Sequence, residues 1–409
     1  MDDKEIRTIH IIPSKSFAHR AYICDFLAGD EACGVVCDLE SDDIKATKEC
    51  IDGLKTGVNV IDARESGSTL RFILPLAGVM GRSVGIITRG RLSERPMLSY
   101  EDALMRNGME IEQDKSGVIT TGGKLRPGVF RLPGAVSSQF ITGLLLSLPS
   151  LEGDSRIELT SELKSKAYVD ITLSVLSDYG VSIREHDGIY EIPGGQKYSC
   201  KGSYKVEGDW SQAAFWLAAG LIGECPVRVE GLRADSVQGD RRIIGIFRDM
   251  GGRIDEEKCE DGTCYTAYPS ELHGCEVDVS EVPDLAPAIT CAACAADSET
   301  RMVNAERLRL KESDRIDSIV NAVTDLGFYA EGKDNEIVIA GKSGRPSDKT
   351  SDARRVRTSG DHRIVMMAAV LSLISGYKVE IEDAGSVSKS YPTFFDELKK
   401  AGLADSVII

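Results

Sequence analysis

What this 409-residue chain lacks narrows it first. It has no apolar run that could span a bilayer. The longest weakly polar stretch, near Ala286 to Ala296, falls short of the ~20 residues a membrane helix needs. The opening Met-Asp-Asp-Lys-Glu carries no apolar core of a secretory signal. Positive charge is in deficit: 49 Lys plus Arg against 65 Asp plus Glu give a formal charge of −16. Such a surface repels polyphosphate backbones and anionic lipid heads, so neither nucleic acid nor a membrane is an expected partner. The 11 cysteines are odd in number and scattered, which rules out complete pairing and a small secreted framework. The expectation is a reduced, cytoplasmic chain.

Cofactor motifs are also missing. No Gly-x-Gly-x-x-Gly follows a strand. Gly341-Lys342-Ser343 resembles the end of a phosphate-binding loop, but the first glycine of that motif falls on Glu336, and Gly344-Arg345-Pro346 does not open a helix. Cys291-Ala-Ala-Cys294 has metal-like spacing without a second pair, so it reads as small buried cysteines. The five histidines (His10, His19, His186, His273 and His362) form no ligand cluster.

What is present is a rhythm. A β-branched strand pattern at Arg7 to Ile12 leads through Pro13-Ser14-Lys15-Ser16 into a helical stretch ending near Leu27. Small polar loops then precede apolar helical runs at Ser66-Gly67-Ser68, Ser137-Ser138-Gln139, Gly208-Asp209, Pro283-Asp284 and Gly360-Asp361. Their spacing, roughly 70–76 residues, points to repeated βα units. A helix start exposes unpaired backbone N–H groups and favours anions, though Ser and Asp there are also ordinary caps. Gly341 to Gly360, with the basic pair Arg354-Arg355, reads as a solvated surface loop.

Eight cations sit among Ser, Gly, Thr and Pro, where a ligand can approach the backbone closely: Lys15, Arg20, Arg71, Arg95, Lys311, Arg315, Arg363 and Lys389. Guanidinium groups grip phosphate and carboxylate in a bidentate fashion. In so acidic a chain, this set implies a ligand with several negative charges.

The ordered blocks carry a resemblance. They are Ser14-Lys15-Ser16 with Arg20, Ser66-Gly67-Ser68-Thr69-Leu70-Arg71, Glu94-Arg95-Pro96, Ser137-Ser138-Gln139, Ser165-Lys166-Ala167-Tyr168, Gly208-Asp209, Pro283-Asp284, Leu310-Lys311-Glu312-Ser313-Asp314-Arg315, Asp361-His362-Arg363 and Lys389-Ser390. In this order, from Pro13 to Pro392, the chain resembles the 5-enolpyruvylshikimate-3-phosphate synthase family. The resemblance implies an α/β fold of two similar domains, each of three βαβαββ units (an inside-out α/β barrel), with the active site in the interdomain cleft. It sets the domains at 1–13 with 208–409 and at 14–207.

It further implies enolpyruvyl transfer from phosphoenolpyruvate to the 5-hydroxyl of shikimate 3-phosphate, with phosphate released and no cofactor or metal, by a monomer. Ser16, Arg20, Ser137, Ser138, Ser165, Tyr168, Asp284 and Lys311 are expected to hold shikimate 3-phosphate. Lys15, Gly67, Arg95, Gln139, Arg315, Arg363 and Lys389 are expected to hold phosphoenolpyruvate, with Arg71 shaping that pocket. Asp284 is the expected base at the 5-hydroxyl, beside Lys311. Glu312 and Lys15 are the candidates for proton transfer at C3 and at the leaving phosphate. Two departures stand out: Arg307 takes the place of a smaller polar group, and Ser66 to Thr69 differs from the Asn-Ala-Gly-Thr form of some relatives.

Three alternatives compete. A UDP-N-acetylglucosamine enolpyruvyl transferase would carry a reactive Cys between Thr88 and Pro96, where none occurs. A non-catalytic anion-binding protein of the same fold would be expected to lack Lys15, Asp284 or Glu312. An RNA-end cyclase would need nucleotide-binding features that are not found.

Overall fold

The computed structural model describes residues 5–260, 262–344 and 353–408. Arg345 and Pro346 therefore lie outside the described residues. The chain forms two compact units, Met1–Ile12 with Glu207–Ile409, and Pro13–Val206.

In the unit 13–206, the strands Val60–Asp62, Val84–Ile87, Val118–Gly123 and Met109–Gln113 form one sheet in that spatial order. The first pair is parallel and the others are antiparallel. Helices Gly67–Val79 and Leu98–Arg106 connect them, giving one βαβαββ module. Val129–Leu132, Ser155–Leu159, Ile189–Ile192 and Arg184–His186 repeat the arrangement with helices Ser138–Ser147 and Lys166–Asp178. The third module is reduced. Helices Lys15–Ala28 and Asp42–Thr56 accompany only two short parallel strands, Val35–Val36 and Tyr204–Lys205.

The other unit has the same plan. One module joins the N-terminal strand Arg7–His10 to Val227–Leu232, Gly262–Tyr268 and Arg253–Cys259, with helices Trp210–Ile222 and Ile243–Asp249. A second is built from Glu276–Asp278, Thr300–Val303, Glu336–Ile339 and Ala330–Gly332, with helices Ala286–Ala295 and Arg315–Asp325. The third has three parallel strands, Ala353–Val356, Lys378–Ile381 and Val407–Ile408, with helices His362–Ser375 and Phe394–Lys400. Four modules are thus full βαβαββ units and two are shortened. Among the described residues the sheets are separate and none closes into a barrel.

Each unit centres on helices that are apolar all round, as burial on every face requires. In one, Trp210–Ile222, Ala286–Ala295 and His362–Ser375 pack on one another. Cys291 and Cys294 lie inside this core as expected. In the other, Gly67–Val79 packs on Ser138–Ser147. Gly143 permits that approach, since a Cβ there would lie 2.2 Å from the carbonyl oxygen of Arg71.

Two sequence expectations need correction. Arg354 and Arg355 are not loop residues but belong to the strand Ala353–Val356, whose parallel partner supplies its backbone hydrogen bonds. The chain is also not wholly reduced: Cys259 and Cys264 form a disulfide across the hairpin of Arg253–Cys259 and Gly262–Tyr268, while the other nine cysteines are free. The two cysteines lie five residues apart and are brought together by the hairpin, although they are not direct cross-strand partners.

Candidate active site

The expected site residues fall into two sets, one in each unit. In the unit 13–206 the first set gathers at helix starts. Ser14 caps the helix Lys15–Ala28 in extended conformation, so Lys15 begins its first turn. The Lys15 Nζ lies 2.8 Å from Asp43 Oδ2 on the next helix, both half-buried. Arg20, one turn on, is buried. It bonds Thr172 Oγ1 through Nε (2.8 Å), the Ser16 carbonyl through one terminal nitrogen (2.6 Å), and Thr142 Oγ1 (3.3 Å) and the Tyr168 carbonyl (2.9 Å) through the other. Burial lowers its guanidinium to about 9. Four of its five N–H groups are thus directed at neutral acceptors.

A second helix start, at Ser66-Gly67, meets three expected groups. A Cβ on Gly67 would stand 2.5 Å from an Arg71 terminal nitrogen, 2.8 Å from an Arg95 terminal nitrogen and 3.4 Å from Gln139 Oε1. The bare backbone is therefore what lets two guanidinium groups and an amide converge on one helix end. Arg71 donates to Gln139 Oε1 at 2.9 Å, and Gln139 Nε2 donates to Ser68 Oγ at 3.0 Å, so the amide is held by both neighbours. Arg71 is buried against the ring of Phe140. Ser137 caps the next helix by accepting from the Gln139 N–H, and Ser138 is buried in its first turn. Ser165 precedes the helix Lys166–Asp178 with φ of +56°, a left-handed backbone that a serine adopts at a cost of roughly 1–2 kcal/mol. Tyr168 is tied to this set by its carbonyl, which receives Arg20.

The other unit holds the second set, an ion-pair cluster. Asp284 Oδ1 lies 3.1 Å from Lys311 Nζ and 2.9 Å from Arg315, and its Oδ2 lies 3.2 Å from Arg363. Arg315, 1% exposed, also reaches Glu312 Oε2 at 2.7 Å and Asp361 Oδ2 at 3.0 Å. Arg363 touches the Asp284 carbonyl (3.3 Å) and Ser211 Oγ (3.1 Å). Three cations therefore face three carboxylates. Burial alone would raise the Asp284 carboxyl, but Arg363, Lys311 and Arg315 outweigh it and hold it well below the usual carboxylate range. Burial lowers the Lys311 ammonium from its ordinary value, with Asp284 opposing only in part. For Arg315, burial is overcome by Asp361, Glu312 and Asp284, which hold it charged. Lys389 joins this set through the Gly360 carbonyl, at 3.1 Å.

The helix starts of this unit are filled by their own acids. Asp209 accepts from the backbone of Ser211 and Gln212, and Asp361 accepts from that of Arg363. Asp284 differs: it sits in a short 3-10 turn with no capping bond, leaving its carboxylate to the cations.

Not every group in these clusters is assigned a role by its local sequence. Asp43, the partner of Lys15, lies 28 residues away. Asp361, which holds Arg315, stands inside a quoted block without an assigned role. Asp240, on the 3-10 turn Gly239–Arg242, is buried, and burial together with the nearby Asp284 charge pushes its carboxyl up to about 7. Among the described residues no group of His, Cys, Asp and Glu could hold a metal ion, and no helix is long and apolar enough to cross a membrane.

Comparison with known proteins gives a consistent result. The family model for EPSP synthase (3-phosphoshikimate 1-carboxyvinyltransferase) matches residues 53–398. The 3-phosphoshikimate 1-carboxyvinyltransferase of Clostridium kluyveri is 37% identical, with 96% of this chain and 94% of that protein covered. That of Clostridioides difficile is also 37% identical, over the same shares. Among solved structures, EPSP synthase from Acinetobacter baumannii aligns with a TM-score of 0.73 at 22% identity, covering 98% of this chain and 96% of that one. The enolpyruvyl transferase NikO from Streptomyces tendae aligns at 0.72 and 15%, over the same shares.

Proposed function

The chain belongs to the EPSP synthase family, and from that premise we propose how its residues divide the work. The activity is 3-phosphoshikimate 1-carboxyvinyl transfer: the enolpyruvyl group of phosphoenolpyruvate passes to the 5-hydroxyl of shikimate 3-phosphate and phosphate leaves. This is a step of the shikimate pathway toward aromatic amino acids. The UDP-N-acetylglucosamine and non-catalytic readings are not favoured.

In the proposed division, Ser16, Arg20, Ser137, Ser138, Ser165, Tyr168, Asp284 and Lys311 hold shikimate 3-phosphate. Lys15, Gly67, Arg95, Gln139, Arg315, Arg363 and Lys389 hold phosphoenolpyruvate. The observation that carries this reading is the convergence of Arg71, Arg95 and Gln139 on the bare backbone of Gly67. A helix start flanked by two guanidinium groups suits a small, multiply charged anion.

The chemistry needs two balanced steps. In the addition, the 5-hydroxyl loses its proton as its oxygen bonds C2, and C3 gains a proton as the C2–C3 π bond breaks. In the elimination, C3 returns a proton, the π bond re-forms and the C2–O bond to phosphate breaks. Asp284 is the base we assign to the 5-hydroxyl, and Lys15 and Glu312 are assigned to C3 and the leaving phosphate. At rest Asp284 is a weak base because three cations neutralise it. Two of these, Arg315 and Arg363, are proposed ligands of phosphoenolpyruvate. An arriving anion competes for them, weakens their hold and makes Asp284 more basic when it is needed. We further read the protein as a cytoplasmic monomer that acts on small anions and not on nucleic acid, in keeping with its charge of −16.

The test is phosphate release. Phosphate should appear only when both substrates are present, and Lys15→Met and Glu312→Ala should each abolish turnover in a folded protein. Release from phosphoenolpyruvate alone, or wild-type rates in either variant, would overturn the assignment concerned.

A further inference from the structure

Beneath the Gly67 helix start lies a row of polar side chains to which the mechanism gives no role. His19 Nδ1 is 2.7 Å from Thr47 Oγ1, Thr47 Oγ1 is 2.7 Å from Thr69 Oγ1, and Thr69 Oγ1 is 2.7 Å from Ser66 Oγ. All four residues are at most 1% exposed. They belong to three different helices or their caps: His19 to Lys15–Ala28, Thr47 to Asp42–Thr56, and Ser66 with Thr69 to Gly67–Val79. Valine for threonine and alanine for serine would fill nearly the same volume without buried polar atoms, so packing alone does not call for hydroxyls.

The direction of the row follows from its end. His19 Nε2 is buried and has no partner among the described residues. A buried N–H without an acceptor is the costlier form, so the proton belongs on Nδ1 and Nε2 is bare. Burial first, then Lys15 and Arg20, keep the ring neutral. His19 therefore donates to Thr47, Thr47 to Thr69, and Thr69 to Ser66 Oγ, with the Asp43 carbonyl 3.3 Å from the same hydroxyl. The two ends matter. Ser66 caps the helix whose start is Gly67, accepting from the Thr69 N–H. Asp43 carries the carboxylate that holds Lys15.

We infer that His19, Thr47 and Thr69 are positioning residues: their one-way hydrogen-bond row sets the distance between Lys15 and the Gly67 helix start, and hence the grip on phosphoenolpyruvate. The inference rests on the reading of Lys15 and Gly67 given above. Arg20 has its own hydrogen-bond anchors on Thr172, Thr142 and the Tyr168 carbonyl, none of them in the row, so the grip on the second substrate should depend on the row far less.

The experiment uses the full chain with Thr47→Val and Thr47→Ser. In Thr47→Val, kcat/KM for phosphoenolpyruvate should fall tenfold or more, while KM for shikimate 3-phosphate stays within twofold. Thr47→Ser restores the hydroxyl and should return the value to within threefold of wild type. Unchanged kinetics in Thr47→Val would overturn the inference. So would a parallel rise in both KM values with no rescue by serine, because that marks general loosening. Nitrogen-15 NMR of His19 is independent of turnover and of the variant's folding: a proton on Nδ1 supports the row, and one on Nε2 overturns it. A wild-type protein that releases no phosphate would instead count against the reading of the function, leaving the NMR result to decide this one.

Discussion

At the scale of single residues, Asp240 makes the sharpest claim. Its carboxyl is pushed up to about 7 by burial and by Asp284. An unfolded aspartate titrates near ~3.9. Between these values the folded chain keeps a proton that the unfolded chain has released. Its contribution to stability is therefore full below ~3.9 and is lost as pH rises through about 7. Asp240→Asn cannot ionise, so its melting temperature relative to wild type should climb between about pH 4 and about pH 7 and level off above. A difference independent of pH, followed by calorimetry, would show that Asp240 titrates normally.

Legibility divides at the same scale. Lys15, Gly67, Lys311, Glu312 and Arg315 stand in short contiguous blocks whose composition announces close approach to an anion. Asp43, Asp240 and the His19 row act through tertiary neighbours 20 or more residues away. Nothing in an isolated Thr47 or Thr69 distinguishes a positioning hydroxyl from an ordinary helix residue. Arg20 shows the converse limit: the block that flags it does not disclose that four of its donors are already taken.

At the scale of elements, the helix starts were the readable feature. Each of the five small polar loops does precede a buried helix. Their chemistry is not uniform, because Ser66, Ser137, Asp209 and Asp361 cap their own helices while Asp284 does not. Strands were harder: Ala353–Val356 is charged along much of its length and is a strand only because Lys378–Ile381 pairs with it. The helix Gly67–Val79 carries a prediction of its own. Gly67→Ala places a methyl between Arg71, Arg95 and Gln139. Alanine is a better helix former, but its methyl must displace the buried Arg71, so stability should hold or fall slightly. KM for phosphoenolpyruvate should increase by about tenfold, measured by steady-state phosphate release with shikimate 3-phosphate saturating. An unchanged KM would mean the site tolerates a side chain there.

At the scale of the whole molecule, one unit is inserted into the other. The chain leaves the first unit after Ile12 and re-enters at Glu207, and the Asp209 N–H donates to the Ile12 carbonyl at 2.9 Å. The exit and return points are therefore adjacent. Residues 1–12 joined to 207–409 by a short Gly-Ser linker should fold with one cooperative transition by circular dichroism. Residues 207–409 alone lack the strand Arg7–His10 and expose Val227–Leu232 as an unpaired edge, so they should melt lower and aggregate sooner. Equal behaviour of the two chains would show that the N-terminal strand adds little.

The pairing of Arg7–His10 with Val227–Leu232 also bears on synthesis. The first strand leaves the ribosome more than 200 residues ahead of its partner, a wait of about 10–40 s at ~5–20 residues per second. During that interval the whole of 13–206 emerges and can complete its own core, while the leading segment trails as a loose thread. The strand Arg7–His10 is thus made long before the strand it must pair with.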